Sequence, residues 1–433
     1  MGKSKPFKLK PLIFIVSLVF LPILAGCWSA HEISHLAIMD SIGIDENENG
    51  ELEVTSVMVK PSSLFSGLGE NGSPNQDAYI IQTVTGKNMV EIMGKLSDST
   101  PEKLYLGHMD VVVFGQKAAQ TQLKDCLDYL TRGIDFRPNI RILVANGTAK
   151  SVLSNPPGLD LSVGQQVQEL VNARRYSMTN MVEDLRQFTK KMDESTEDPY
   201  TGLISPISLR SNDEKPVFQK WSASHDEALE SDKKLDQKSS GEQNETNSIG
   251  LSLEGTAVFK GSRLKGYLNE PETQGLMLLR GKLQNGVVTL DCGDSKKGNV
   301  GLLITDSNAT YQPKMIDGEP SLTASISVEA DIGQTTCQSS PISPLKMDQL
   351  NQELEEKMKS EVKDVLNLAQ KQWQTDIFGF GEAFYKKDPK VWKLLEPNWR
   401  HGLLKNMDVD VQINANINRY GLRKGTIGTN ETR

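Results

Sequence analysis

Two sets of residues near the start of the 433-residue chain have a spacing that chemistry can use. His31-Glu32-Ile33-Ser34-His35 spells H-E-x-x-H. On a helix that spacing puts two imidazoles on one face for zinc, with a carboxylate beside them to activate water. Just before it, Leu24-Ala25-Gly26-Cys27 spells a lipobox. There the chain is cut between Gly26 and Cys27, and Cys27 becomes an acylated N-terminus. Context separates the two motifs. Lys3, Lys5, Lys8 and Lys10 precede an apolar run from Leu12 to Leu24, the make-up of a secretory leader and too short to span a bilayer comfortably. His31 would then lie four positions from a lipid-bearing end, and "EISHLAIMDSIGID" reads into a strand rather than a ligand-bearing helix. Cys27 is therefore expected to carry S-diacylglycerol and an N-acyl chain. The two histidines are expected to belong to a solvated tether.

The remaining motifs are weaker. Gly67-x-Gly69-x-x-Gly72 matches the dinucleotide fingerprint, but Pro74 and polar residues follow it where an apolar helix should start. No G-x-S-x-G elbow, P-loop or CxxC pair occurs. His108, His225 and His401 stand singly. The acidic residues of "NQELEEKMKSEVKD" alternate with lysines at i+3 and i+4, the pattern of a solvated helix face. No catalytic, cofactor-binding or metal-ligating residue is assigned. With Cys27 given to lipid, Cys126 shares a helical face with Leu123, Leu127 and Leu130 and is expected to be a buried thiol. Cys292 and Cys337 lie in strand-rich sequence, and a bridge between them is one open possibility.

The elements that must position these residues follow from periodicity. Leu36–Ile44 and Leu52–Val59 read as a hairpin about Asn47–Gly50. Strands at 79–85, 109–114 and 139–144 alternate with helices at 88–96 and 121–131, and helices at 163–173 and 181–192 follow. From Ser211 to Ser248 the composition changes, and His225 to Ser248 has almost no apolar residues, too few to offset the ordering entropy, so the excursion is expected to be disordered. Beyond it come a hairpin at 255–268, a turn at Asn285-Gly286, an alternating strand from Leu322 to Ile332 and a long amphipathic helix from Met347 to Asp376. Asp388-Pro389 opens a short helix, and a last strand runs from Met407 to Asn418. The fold class is α+β and multidomain, with mainly antiparallel mixed sheets and packed helices, and a C-terminal antiparallel sheet covered by the long helix. The expected domains are a signal peptide (1–26), an N-terminal domain (27–195), a connecting segment (196–250) and a C-terminal domain (251–433). Formal charge is −8, and losing a leader with four lysines takes it to about −12. An acidic body with no basic, aromatic-interleaved stripe excludes nucleic acid as a partner.

The chain also resembles a known family, the Ger(x)C spore germination lipoproteins. The similarity is carried by Cys27-Trp28, Glu32-Ile33, Leu36-Ala37-Ile38 and Gly43-Ile44-Asp45, then by "LGHMDVVVFG" and "RPNIRILVANGTAKSVL". In the second half it is carried by "GTAVFKGSRLKGYL", "ETQGLMLLRGKLQNGVV" and "DIFGFGEAFYKKDPKVWK". The resemblance implies a non-enzymatic C subunit of a germinant receptor, anchored on the outer surface of the spore's inner membrane and working with polytopic A and B subunits. It carries over one site residue, Cys27. The alternative is an extracytoplasmic solute-binding lipoprotein that captures the nutrient itself.

Overall fold

The computed structural model describes residues 36–59, 79–154, 162–172, 181–208, 248–292, 298–337 and 344–419. Gly26, Cys27, the motif from His31 to His35, the glycines at 67, 69 and 72, and the polar stretch 211–247 with His225 lie outside them. Strands β1 (Leu36–Glu46) and β2 (Leu52–Val59) form the expected hairpin. The Asn47 side-chain oxygen accepts from the Asn49 and Glu51 amides, and Gly50 turns the chain at φ 77°, a region that glycine reaches at no steric cost.

The chain continues through β3 (Tyr79–Gly86), α1 (Met89–Ser99), β4 (Lys103–Tyr105), β5 (Val111–Phe114), α2 (Gln116–Thr121) and α3 (Leu123–Arg132). Next come β6 (Arg141–Ala145), α4 (Ala149–Leu153), α5 (Val163–Asn172), β7 (Glu183–Asp184), α6 (Leu185–Asp193) and β8 (Tyr200–Ser208). A hairpin of β9 (Ser248–Lys260) and β10 (Arg263–Leu268) completes a sheet of order β10-β9-β8-β6-β5-β1-β2-β3, with β4 beside β1 and β7 beside β6. β1, β5, β6 and β8 run parallel at its centre, and β2 and β9 join them antiparallel. The central strands are covered on both faces, so Val111-Val112-Val113-Phe114 is buried throughout. Val112, Phe114, Ile142 and Val144 share a core with residues of α1, α3 and α6. Val111, Val113, Leu143 and Ala145 pack with α4 and α5 on the other side. β8 and β9 pair with each other, so this sheet draws on chain from both sides of residues 209–247.

A second sheet follows helix α7 (Glu270–Leu279): β11 (Gly286–Asp291), β12 (Asn299–Ile316), β13 (Glu319–Thr335) and β14 (Asp408–Arg419), hydrogen-bonded in that order. Between β13 and β14 lie α8 (Pro344–Val365), α9 (Phe380–Lys387) and α10 (Pro389–Asn398). Leu322, Ala324, Ile326, Val328 and Ala330 of β13 share one core with Leu350, Leu354, Met358 and Val362 of α8, the covering helix read from the sequence. Asp388 caps α10 by accepting from the Lys390 amide.

Three expectations need correcting. β14 runs parallel to β13, so the C-terminal sheet is mixed rather than antiparallel. The long connection through α8 to α10 returns the chain to the end where β13 began, which only a crossover can do. The long helix widens to i→i+5 winding over Leu366–Trp373 and stops there, with Gln374 left-handed at φ 53°, so Asp376 is not helical. Helix α6 begins at Leu185 rather than Met181, because Asp184 and Gln187 form a reciprocal capping box. The expected Asn285-Gly286 turn is present, with Asn285 at φ 57°, and leads from α7 into β11.

Cys292 and Cys337 are bonded, with Cα atoms 5.6 Å apart and a sequence separation of 45. The bridge ties the end of β11, an edge strand, to the end of β13. Closing a loop of that length restricts the unfolded chain, so replacing both cysteines (Cys292→Ser with Cys337→Ser) is expected to lower the unfolding free energy by about 2–4 kcal/mol. Urea titration of the two proteins measures it.

Candidate functional site

Among the residues singled out in the sequence, the structure describes His108, His401 and three cysteines. Both histidines are exposed and lie far apart in the chain. Cys126 is buried in the core under α3, and burial pushes its thiol up to about 12, the condition of an inert sulfur. No cluster of three or more metal-ligating side chains occurs among the described residues, and none of their helices is long and apolar enough to cross a membrane.

The structure does gather a buried polar cluster that residue spacing could not show. It joins the start of β8 to the segment around α9. The backbone of Asp198 donates to the Asp376 carbonyl, and the Asp376 amide returns a bond to the Asp198 carboxylate at 2.8 Å. The Asp376 carboxylate then accepts four N–H groups: Gly379 and Phe380 on Oδ1 at 2.9 and 3.0 Å, Gly381 and the Trp399 indole on Oδ2 at 2.7 and 3.0 Å. This is a nest at the first turn of α9, where exposed amides favour a negative charge. Two glycines make it possible. Gly379 turns at φ 80°, and a Cβ on Gly381 would sit 2.6 Å from the Thr196 carbonyl oxygen. Burial pushes Asp376 up to about 6 against those donors.

Arginines close the cluster. Arg400 lies 3.1 Å from the Asp198 carboxylate and donates to the carbonyls of Glu194 and Glu197. The Arg400 carbonyl in turn accepts from Lys260 at the β9–β10 hairpin tip. Arg280, from the end of α7, pairs with Glu197 at 2.9 Å. One step away, Lys191 of α6 pairs with Glu183 at 2.8 Å and stands 3.8 Å from the Tyr200 ring centroid. Phe378, Phe380, Phe384, Trp392 and Trp399 pack around the site with centroids 4.8–5.6 Å apart, which keeps water out. The carboxylates here are occupied in holding chain segments together.

A second pair of buried carboxylates lies on β1. Asp40 accepts from Ser162 Oγ and the Gly164 amide at the start of α5. Asp45 accepts from the Ala149 and Lys150 amides at the start of α4 at 2.8 and 2.9 Å. Burial raises both above the ordinary carboxylate range. Asp45 lies so close to Gly115 that a Cβ there would fall 1.8 Å from its oxygen. Each aspartate fixes a helix onto the central strand.

Asparagine at position 376 offers one acceptor oxygen where the carboxylate offers two, so two of the four N–H groups would face an amide NH2. Asp376→Asn is therefore expected to cost about 2–4 kcal/mol of stability, read by denaturant unfolding at neutral pH. The native state takes up a proton at Asp376 near pH 6, which the unfolded chain takes up only near the ordinary 3.8. This group's contribution is therefore fully present below about 3.8 and is lost as pH rises through 6. That component should vanish from the pH dependence of the variant.

Comparison with known proteins places this architecture. Residues 29–206 match the family model described as the spore germination protein N-terminal domain, and residues 254–421 match that of the spore germination B3/GerAC-like C-terminal domain. Spore germination protein KC of Bacillus subtilis (strain 168) is 25% identical over 422 residues, covering 96% of this chain and 98% of that protein. Spore germination protein B3 of the same organism is 22% identical, covering 94% and 97%. The crystal structure of the GerBC protein aligns with 87% of this chain and 96% of its own at a TM-score of 0.48 and 17% identity. Matched by both domain models and similar to these relatives over nearly its whole length, the chain belongs to the Ger(x)C family of spore germination proteins.

Proposed function

We propose that this protein is the lipid-anchored, non-enzymatic C subunit of a spore germinant receptor, which supports assembly of the receptor and its response to nutrients. The observation that carries the reading is a lipobox cysteine nine positions ahead of the first strand, in a chain that matches spore germination domains over residues 29–206 and 254–421. In this reading the leader is cut after Gly26, and Cys27 carries diacylglycerol and an N-acyl chain. One acyl chain holds a protein only reversibly, whereas two or more give a stable anchor. The body then sits on the extracytoplasmic face, in spores the outer surface of the inner membrane, against polytopic A and B subunits.

The buried cluster suits a support role. It ties the two sheets into a single unit through bonds that exclude water, and a subunit that props up neighbours needs that stiffness. Direct capture of a nutrient calls instead for two doubly wound lobes closing on a cleft. Here the outer face of the second sheet carries an open hollow lined by Asn308, Thr310, Ser325, Ile326, Gln412 and Ile413.

Cys27→Ala removes the anchor without touching the described body. The expected result is loss of the protein from the spore membrane fraction, read by immunoblot, together with a slowed germination response to nutrient. Membrane association and germination both unchanged would refute the anchoring role.

A further inference from the structure

Eight residues separate Cys27 from Leu36, where β1 starts. Fully extended, that connection reaches about 30 Å, less than the ~36 Å rise of an eleven-residue strand such as β1. An acyl anchor on Cys27 therefore keeps the bilayer at the end of the body where β1 begins.

Among the described residues, β4 pairs with Leu36–Ile38, and β5 and β6 run the same way as β1 but begin five residues farther along it, where Val111 lies between Ser41 and Arg141. Two connections meet at this end, 106–110 and 133–140, and they lie side by side because the Arg141 amide donates to the Asp110 carbonyl. At the second of them Ile134 is 98% exposed. The loop is folded, not loose. Phe136 turns back onto Tyr129 with ring centroids 5.7 Å apart, and a Cβ on Gly133 would lie 2.6 Å from the Phe136 ring. With Phe136 turned in, Ile134 points out and gives up all of its transfer energy to water. On the neighbouring β4, Tyr105 is 39% exposed and stacks loosely on His108, with Lys103 and Arg137 exposed beside them. An exposed aliphatic tip at the same end as an exposed aromatic ring and basic side chains has the composition of a membrane interface.

We propose that this edge, with Ile134 at its tip and Tyr105, Lys103 and Arg137 around it, is the face that rests on the phospholipid bilayer, Ile134 entering the headgroup region. The proposal rests on the acylation of Cys27. Glu102 and Asp135 leave the patch close to neutral, so the contact is apolar in character and resists salt.

The test uses the full-length lipidated protein carrying Ile134→Cys, labelled with the environment-sensitive fluorophore NBD. Cys27 is acylated, Cys126 is buried and Cys292 is bonded to Cys337, so the label goes to position 134. In vesicles of phosphatidylethanolamine and phosphatidylglycerol, its emission is expected to brighten several-fold, shift to the blue, survive high salt and be quenched by spin-labelled lipid. The same label at Leu394→Cys, on exposed α10, is expected to stay water-like. Water-like emission at 134 in a protein that floats with the vesicles overturns this face and leaves the anchoring intact, and equal brightening at both positions overturns it too. A protein that does not float overturns the anchoring and this face together.

Discussion

A carboxylate cut off from water has to find all its partners inside the protein, and at Asp376 that requirement organises the join between the two sheets. Its donors come from the next turn of its own chain and from Trp399, while its backbone pairs with Asp198 just ahead of β8 in the first sheet. Arg400, adjacent to Trp399, completes Asp198. No part of this arrangement is satisfied until segments near residues 198, 280, 376 and 400 have come together. Buried charge of this kind adds little net stability over a well-packed apolar core, yet breaking it by removing one partner costs about 3–5 kcal/mol. Its effect is to penalise any other docking of the second sheet on the first.

How much of this was legible in the sequence depended on whether a segment meets water on one side. β1, β2, β14 and α8 each have a solvated face or a sharp turn, so alternation and helical spacing located them. Helix α7 carries Leu276, Met277, Leu278 and Leu279 in succession, all buried, and a helix enclosed on every side has no period to read. The parallel return of β14 was hidden for a different reason. Alternation fixes which face of a strand is buried but not its direction, and direction here is set by the length of the connection before it. The bond between Cys292 and Cys337 was open in the sequence because spacing fixes no connectivity. The Asp376 cluster left no signal of its own, since its members are scattered over some two hundred positions.

The blocks by which the chain resembles its family take on a physical meaning once the structure is known. In "DIFGFGEAFYKKDPKVWK" the aspartate is the nest carboxylate, Gly379 and Gly381 are the positions where a side chain would collide, and Phe378, Phe380, Phe384 and Trp392 are the surrounding wall. In Gly43-Ile44-Asp45, the aspartate holds the first turn of α4 and a Cβ on Gly43 would strike Ala149 at 2.9 Å. These are places where a small residue and a buried acid must coincide for a helix to seat against a strand. The segments by which membership was recognised are thus largely those that assemble the body.

Where the tether enters bears on what such a body can transmit. β1 lies inside the first sheet, bonded on one side to β2 and on the other to β4 and β5. A load drawn along β1 from an anchor at Cys27 would act in shear on those ladders together, and on the helices that Asp40 and Asp45 fasten to the same strand. From β1 the path runs through β5, β6 and β8 to Asp198, and across the buried cluster to α9 and the second sheet. Every step along it is a backbone ladder or a water-free polar contact, and none is a flexible linker. On the proposed anchoring, a body joined this way would pass a displacement of β1 on to the second sheet. In the proposed receptor, a neighbour that touched the second sheet would feel a displacement of β1 through that path, downstream of the tether.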